Sequence, residues 1–325
     1  MGAVVSSTGE GVTGGRWSVR PVALVVALVL DELLGEPPGR WHPVVAMGTY
    51  LRRVEPRVPA APSLPAALCG GAAVSLGVLA SAAAGSVLDR ASRRLPWPAA
   101  VALQATVLWT LLSARLLREE VAAVEQALAR STADGREQVS RLVSRDTAAL
   151  DAEQVRAAAL GSLSENLSDS VVAPALAHAV GGLTAAAAYR FVNTADAMWG
   201  YRSPRWEHAG RVAARADDLA NLLPARLTGL LLVGPDPDRL ARLPREAART
   251  PSPNGGWPMG ALALRLGTRM TKPGVYALNP DARAAVAQDT ARALRLFRLA
   301  TVQAAALLGA GAALVRLGHR RGAVA

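Results

Sequence analysis

Five acids and several amides recur beside apolar runs in this 325-residue chain, and their types and spacing suit one chemistry. In "SENLSDSVVAPALAHAVGG", Glu165 and Asp169 are spaced i, i+4 and would share one helix face, with Asn166 between them. In "VNTADAMWGY", Asn193 and Asp196 are spaced i, i+3. In "RADDLANLLPAR", Asp217 and Asn221 are i, i+4, and Asp218 and Asn221 are i, i+3. Asn254 stands in the turn "SPNGGWP" ahead of Gly255 and Gly256. Mg²⁺ takes oxygen ligands, usually one or two carboxylates completed by phosphate oxygens and water. Arginines suit phosphate oxygens, and Arg145, Arg211, Arg215 and Arg226 lie near these clusters in sequence.

A plainer reading competes at each cluster. A single Asp, Asn or Ser near a helix start is more often a cap than a ligand, and Ser164 with Glu165 or Ser168 with Asp169 would serve. The recurrence of such clusters beside apolar segments favours function, because acids at membrane depth are costly. His42 and His208 read as packing residues before catalysts, His178 as a residue that packs or hydrogen-bonds across helices, and His319 as part of an Arg-rich tail. No P-loop, no HExxH, no GxSxG and no dinucleotide fingerprint occurs.

The elements that must position these residues are membrane helices. The chain is 51% hydrophobic but only 4% aromatic, and its apolar residues come in blocks. A span needs about 20 mostly apolar residues. Residues 64–88, 96–114, 170–188 and 299–315 meet this test, while 19–34 and 219–233 admit a tilted span, a re-entrant piece or an interfacial helix. The expectation is an all-α polytopic membrane protein with four to six membrane helices and helical hydrophilic loops. Residues 1–18 form a disordered tail and 19–325 one membrane-embedded catalytic domain. Residues 115–164 read as amphipathic helix, 193–218 as a polar loop. The formal charge of +11 is carried by scattered arginines, with Lys272 the only lysine. That pattern fits loops flanking a membrane rather than a nucleic-acid surface. Cys69 is the only cysteine, so there is no intrachain disulfide and a thiolate metal site is disfavoured.

Four blocks, "LDELLGEPPGRWHPVVAMGTYL", "SRDTAALDAEQVRAAALGSLSENLSDSVVAPALAHAVGG", "YRFVNTADAMWGYRSPRWEHAGRVAARADDLANLLPARLTGLLL" and "PNGGWPMGALALRLGTRMTKPGVYALN", carry a resemblance. In order and content the chain resembles the adenosylcobinamide-phosphate synthase (CobD/CbiB) family of cobalamin biosynthesis. The resemblance implies a multi-pass protein of the bacterial inner membrane. It would join adenosylcobyric acid to (R)-1-aminopropan-2-yl phosphate or a close relative, using ATP and Mg²⁺. Its partners would be the corrinoid, the amino alcohol phosphate, membrane lipid and other membrane enzymes of the pathway, with no nucleic acid. Under that reading Glu165, Asp169, Asp217 and Asp218 serve as metal ligands or base, and Asn166, Asn193, Asp196, Asn221 and Asn254 support them. Arg145, Arg215, Arg226 and Lys272 hold phosphates, and Trp257 and Trp199 line the corrin site. Two departures stand out: Ser170 follows ENxxD where the family often has Gly, and Glu36 replaces Asp in the first block.

Two rivals bear on the same residues. An intramembrane prenyl transferase also binds Mg²⁺ and diphosphate with acids at helix ends, but it usually shows two DxxxD-like motifs. A membrane sensor related to the same family would not need the full set of acids and arginines.

Overall fold

The computed structural model describes residues 19–322, with side chains to residue 311. The expected disordered tail therefore lies outside the described residues, and the side chain of His319 outside the described side chains. The chain is an all-α polytopic membrane protein. Its helices are α1 (Val19–Leu34), α2 (Pro43–Val54), α3 (Leu64–Arg93), α4 (Trp97–Trp109), α5 (Ala114–Arg130), α6 (Thr132–Val139), α7 (Ala152–Leu167), α8 (Ala173–Trp199), α9 (Arg211–Ala220), α10 (Leu222–Val233), α11 (Pro237–Ala247), α12 (Gly256–Leu266) and α13 (Ala287–Gly322). One small antiparallel hairpin, β1 (Met270–Lys272) with β2 (Tyr276–Leu278), joins α12 to α13, with Met270 opposite Leu278.

Four stretches among the described residues are long and apolar enough to cross a membrane: Leu64–Arg93, Trp97–Arg130, Ala152–Trp199 and Ala287–Gly311. Local sequence starts several helices cleanly. Ser63 accepts the Ala66 N–H ahead of α3, and Asp151 and Gln154 form a reciprocal capping box at α7. Trp97–Arg130 is interrupted by a turn after Trp109, which divides it into α4 and α5. The stretch 219–233 is broken at Asn221, and α10 at 12 residues is roughly 18 Å long, short of a hydrocarbon core.

The polar loop expected over 193–218 is mostly helix. Residues 193–199 finish α8 and 211–218 belong to α9. Phe191, Ala195 and Trp199 are all buried at i, i+4, i+8, so a helical apolar face runs beneath the polar letters. Residues 115–164 are three helices rather than one, with a loop ahead of Asp151. The acids of "SENLSD" do not open a helix. They sit inside a continuous helical run, α7 to α8, joined by a π-helical turn over Ser168–Val172. Capping is therefore not their job: Ser164 Oγ donates back to the Leu160 and Gly161 carbonyls, and the Ser168 hydroxyl is buried without a partner among the described residues.

α8 pairs most extensively with α3, and small residues permit that approach. A Cβ on Gly85 would fall 2.4 Å from the Leu183 carbonyl oxygen. At Gly182 α8 breaks, with φ 70° and ψ −159°. Backbone freed inside a membrane must find partners within the protein. The Leu183 and Thr184 N–H groups donate to Asp89 of α3 at 3.2 and 3.0 Å, and the Thr184 hydroxyl donates to it at 2.9 Å. Arg20 of α1 donates to the Ala179 and Val180 carbonyls on the other side of the break, at 3.2 and 3.0 Å. His178 bonds Gln104 of α4 across helices at 3.0 Å.

Asp89→Leu removes the acceptor of two buried N–H groups and a hydroxyl. It should cost about 2–5 kcal/mol, against about 1 for Thr184→Ala. The apparent Tm of the detergent-purified protein, read by intrinsic fluorescence, should fall far more for the first variant than for the second.

Candidate active site

The acids predicted from spacing meet at one place. Glu165 from α7, Asp169 from the π turn, Asp196 from α8, and Asp217 and Asp218 from α9 line a single pocket of about 100 Å³. The π turn matters here. An extra residue per turn re-aims side chains, and such turns favour functional sites. Glu165 and Asp169 thus face the pocket together, although the helix between them is not a regular α-helix.

Amides hold the acids. Asn193 Nδ2 donates to Asp217 Oδ1 at 3.3 Å, and Asn221 Nδ2 donates to Asp217 Oδ2 at 2.9 Å. The Tyr189 hydroxyl stands 2.8 Å from Asn221 Oδ1 and 3.1 Å from the Asp169 carbonyl. Asn254 Nδ2 donates to the Asp218 carbonyl at 2.7 Å, and its Oδ1 accepts from Arg226 at 2.9 Å. The loop carrying Asn254 approaches α7 so closely that a Cβ on Gly255 would lie 2.7 Å from Glu165 Oε1. That contact explains the glycine after Asn254.

Other predicted residues fall at varied distances from the pocket. Lys272, on β1, acts electrostatically on Glu165. Arg145 lies in the loop before α7, with Nη1 buried and unpartnered among the described residues. Arg226 is occupied by Asn254 and the Pro253 carbonyl and stacks over Trp257, its guanidinium carbon 5.0 Å from the ring centre. Asn166 turns back onto Ser162 of its own helix, at 3.0 Å to the carbonyl. Arg215 and Arg211 are exposed on α9 and do not line the pocket. Trp199 is fully buried, stacked on Trp206 with ring centres 5.0 Å apart, so it is a core residue and lines no site.

Several residues escaped the sequence reading. Ser168 and Ser252 line the pocket, and Tyr189 fixes Asn221. Arg190 is buried, donates to Ser170 Oγ at 3.1 Å and Asn193 Oδ1 at 3.3 Å, and leaves its Nε without a partner among the described residues. Tyr189 and Arg190 stand directly before "FVNTAD", so their place beside a polar cluster was the available signal. His42 is paired with Glu36 at 2.6 Å, whose other oxygen accepts from Ser113, also at 2.6 Å. Burial works against ionisation of Glu36, but the His42 and Ser113 hydrogen bonds outweigh it and hold the carboxyl below its ordinary range.

Among the described residues, no three His, Cys, Asp or Glu side chains are already gathered as a closed metal cage. The donor set still fits Mg²⁺, which keeps waters and takes few protein ligands, and the orphaned Ser168 hydroxyl is a further oxygen at the pocket. Burial pushes the Asp217 carboxyl above its usual range; the Asn193 and Asn221 hydrogen bonds pull it back, and the neighbouring Asp218 charge pushes it up again. Asp218 is likewise raised by burial and partly offset by Arg202.

A carboxyl that titrates higher when folded than when unfolded loses stability as pH rises through that window, and the loss is complete above it. Asp218, whose carboxylate accepts no hydrogen bond among the described residues, gives the cleanest test. In the absence of divalent cations, Asp218→Asn should raise the apparent Tm at about pH 8 and leave it unchanged at about pH 4, where the parent carboxyl also approaches neutrality. Adding Mg²⁺ at the higher pH should stabilise the parent more than the variant.

A profile of the CobD/Cbib protein family matches residues 24–301. The cobalamin biosynthesis protein CobD of Rhodobacter capsulatus is 36% identical over 305 residues, covering 88% of this chain and 95% of that protein. The probable cobalamin biosynthesis protein CobD of Methanothermobacter thermautotrophicus is 37% identical over 267 residues, covering 78% of this chain and 85% of that protein. The CobD protein of Rhizobium meliloti is 38% identical over 272 residues, 78% of this chain and 82% of that one. No solved structure matches the chain. With nearly the whole helical domain matched, acid pocket included, the chain belongs to the CobD/Cbib family of cobalamin biosynthesis proteins.

Proposed function

We propose that this protein is a cell-membrane adenosylcobinamide-phosphate synthase, which forms an amide between adenosylcobyric acid and (R)-1-aminopropan-2-yl phosphate at the expense of ATP. One observation carries the reading beyond family membership: carboxylates from α7, the π turn, α8 and α9 converge on one small pocket beside the π turn of a membrane-helix run. In this scheme a corrinoid carboxylate oxygen bonds to the γ-phosphorus of ATP and ADP leaves. The amine nitrogen then bonds to the acyl carbon, phosphate leaves, and the amine proton passes to a base.

The chain's own residues divide that work. Asp217, fixed by two amide donors, is suited to hold Mg²⁺ with Glu165 and Asp169. Bound there, Mg²⁺ offsets negative charge on a transferring phosphoryl group. Asp218 carries an unengaged carboxylate with a raised proton affinity and is suited to accept the amine proton. Arg145 and Lys272 bring positive charge to the Glu165 side and suit the phosphate of the amino alcohol. Arg226 acts one step back, by holding Asn254 against Asp218.

The test is reconstitution in detergent with adenosylcobyric acid, the amino alcohol phosphate, ATP and Mg²⁺, with mass spectrometry of the corrinoid. Adenosylcobinamide phosphate and stoichiometric ADP are expected. Asp217→Asn should reduce turnover about 10²-fold or more, and Arg215→Gln should leave it nearly unchanged. No product from folded protein, or consumption of an isoprenyl diphosphate instead, would refute the assignment.

A further inference from the structure

Asp217 is gripped by two amides, and an amide side chain is ambiguous by shape. Its oxygen and its NH₂ are nearly alike in outline, and only its partners decide which end points where. At Asn193 the deciding partner is Arg190, three residues earlier on α8. One guanidinium nitrogen, Nη1, serves two acceptors, Ser170 Oγ at 3.1 Å and Asn193 Oδ1 at 3.3 Å. A guanidinium only donates, so it faces the oxygen of Asn193 and never the NH₂. Nδ2 is thereby turned the other way, onto Asp217 Oδ1 at 3.3 Å. Asn221 has a less strict director: the Tyr189 hydroxyl beside its Oδ1 can donate or accept.

Packing alone does not account for Arg190. It is 9% exposed, and no carboxylate of the described residues stands within 4.0 Å of its nitrogens. Glu36 and Asp169 act on it from farther away, and its Nε has no partner among the described residues. A buried charge without a close counter-charge is costly to hold. Residues that orient the ligands of a metal from behind are a setting in which such a cost is met by function.

We infer that Arg190 is a positioning residue for cation binding: anchored on Ser170, it sets the Asn193 amide so that Asp217 meets an N–H donor rather than another oxygen. Without it, the amide is free to turn its oxygen toward the carboxylate, which repels it and moves Asp217 from the geometry a cation needs. The inference rests on the reading above that Asp217 holds the cation.

The test is a double-mutant cycle on Mn²⁺ binding, read from the electron paramagnetic resonance of free Mn²⁺ with full-length protein in detergent and no substrate. Arg190→Gln and Asn193→Ala should each weaken binding about tenfold. Because the arginine acts through the amide, the double variant should lose no more than about twofold beyond Asn193→Ala. Size-exclusion and thermal profiles show which variants fold. Should Arg190→Gln not fold, the cycle is run with Arg190→Lys and read by the same rule, a loss that vanishes on the Asn193→Ala background. A parent that binds no Mn²⁺, a single variant that binds it as the parent does, or losses that multiply in the double variant would each overturn the inference. The synthase assay keeps this apart from the function proposed above. A parent that follows the cycle but makes no adenosylcobinamide phosphate leaves the positioning role standing and removes the function. In an active parent, Arg190→Gln should lower kcat and leave the KM for the amino alcohol phosphate unchanged. A raised KM with kcat intact would put the arginine on the substrate instead and overturn the inference.

Discussion

Like charges held together in a small space govern this structure. Glu165, Asp169, Asp196, Asp217 and Asp218 surround one pocket of about 100 Å³, and each would be better solvated apart. The surrounding architecture offsets that repulsion. Two amides grip Asp217, a buried tyrosine steadies one of those amides, and a loop glycine lets Asn254 close over the same region. Lys272 acts on Glu165 and the buried Arg190 on Asp169 as positive charges. Holding these charges together costs folding stability.

The membrane sets the second condition. Irregular backbone is tolerable at depth only when the protein satisfies it. The chain departs from regular helix twice in one run, at the π turn and at Gly182. The first departure turns acids toward the pocket. The second is stitched on both sides, by Asp89 for the free N–H groups and by Arg20 for the free carbonyls. These charges beside the apolar spans serve the backbone at the break.

Much of this was legible in the letters. Apolar blocks such as 64–88 and 299–315 announce themselves by length and lack of charge, because the membrane imposes a length on any helix that crosses it. The i, i+4 pair Glu165/Asp169 and the Asp-Asp-x-x-Asn cluster carried the site for a similar reason: an ionised side chain beside a membrane segment needs a purpose. What stayed hidden depends on tertiary contacts. The helical face of Phe191, Ala195 and Trp199 is masked by polar neighbours, so 193–199 read as loop. Arg190 and Tyr189 gain meaning only once α9 folds against α8. Trp199 and Asn166 have the right letters, but packing and a bond to Ser162 point them elsewhere.

The Asp89 stitch also bears on how the chain can be made. α3 emerges from the ribosome long before α8, since synthesis runs from the N-terminus and folding follows it. The broken helix therefore arrives to find its acceptor already in the bilayer. A fragment that began after α3 would carry two unanswered N–H groups into hydrocarbon, with nothing in its own sequence to answer them. The order of segments in the gene is thus part of the structural solution, and co-expressed halves divided between α3 and α8 would regain the fold only by meeting inside the membrane.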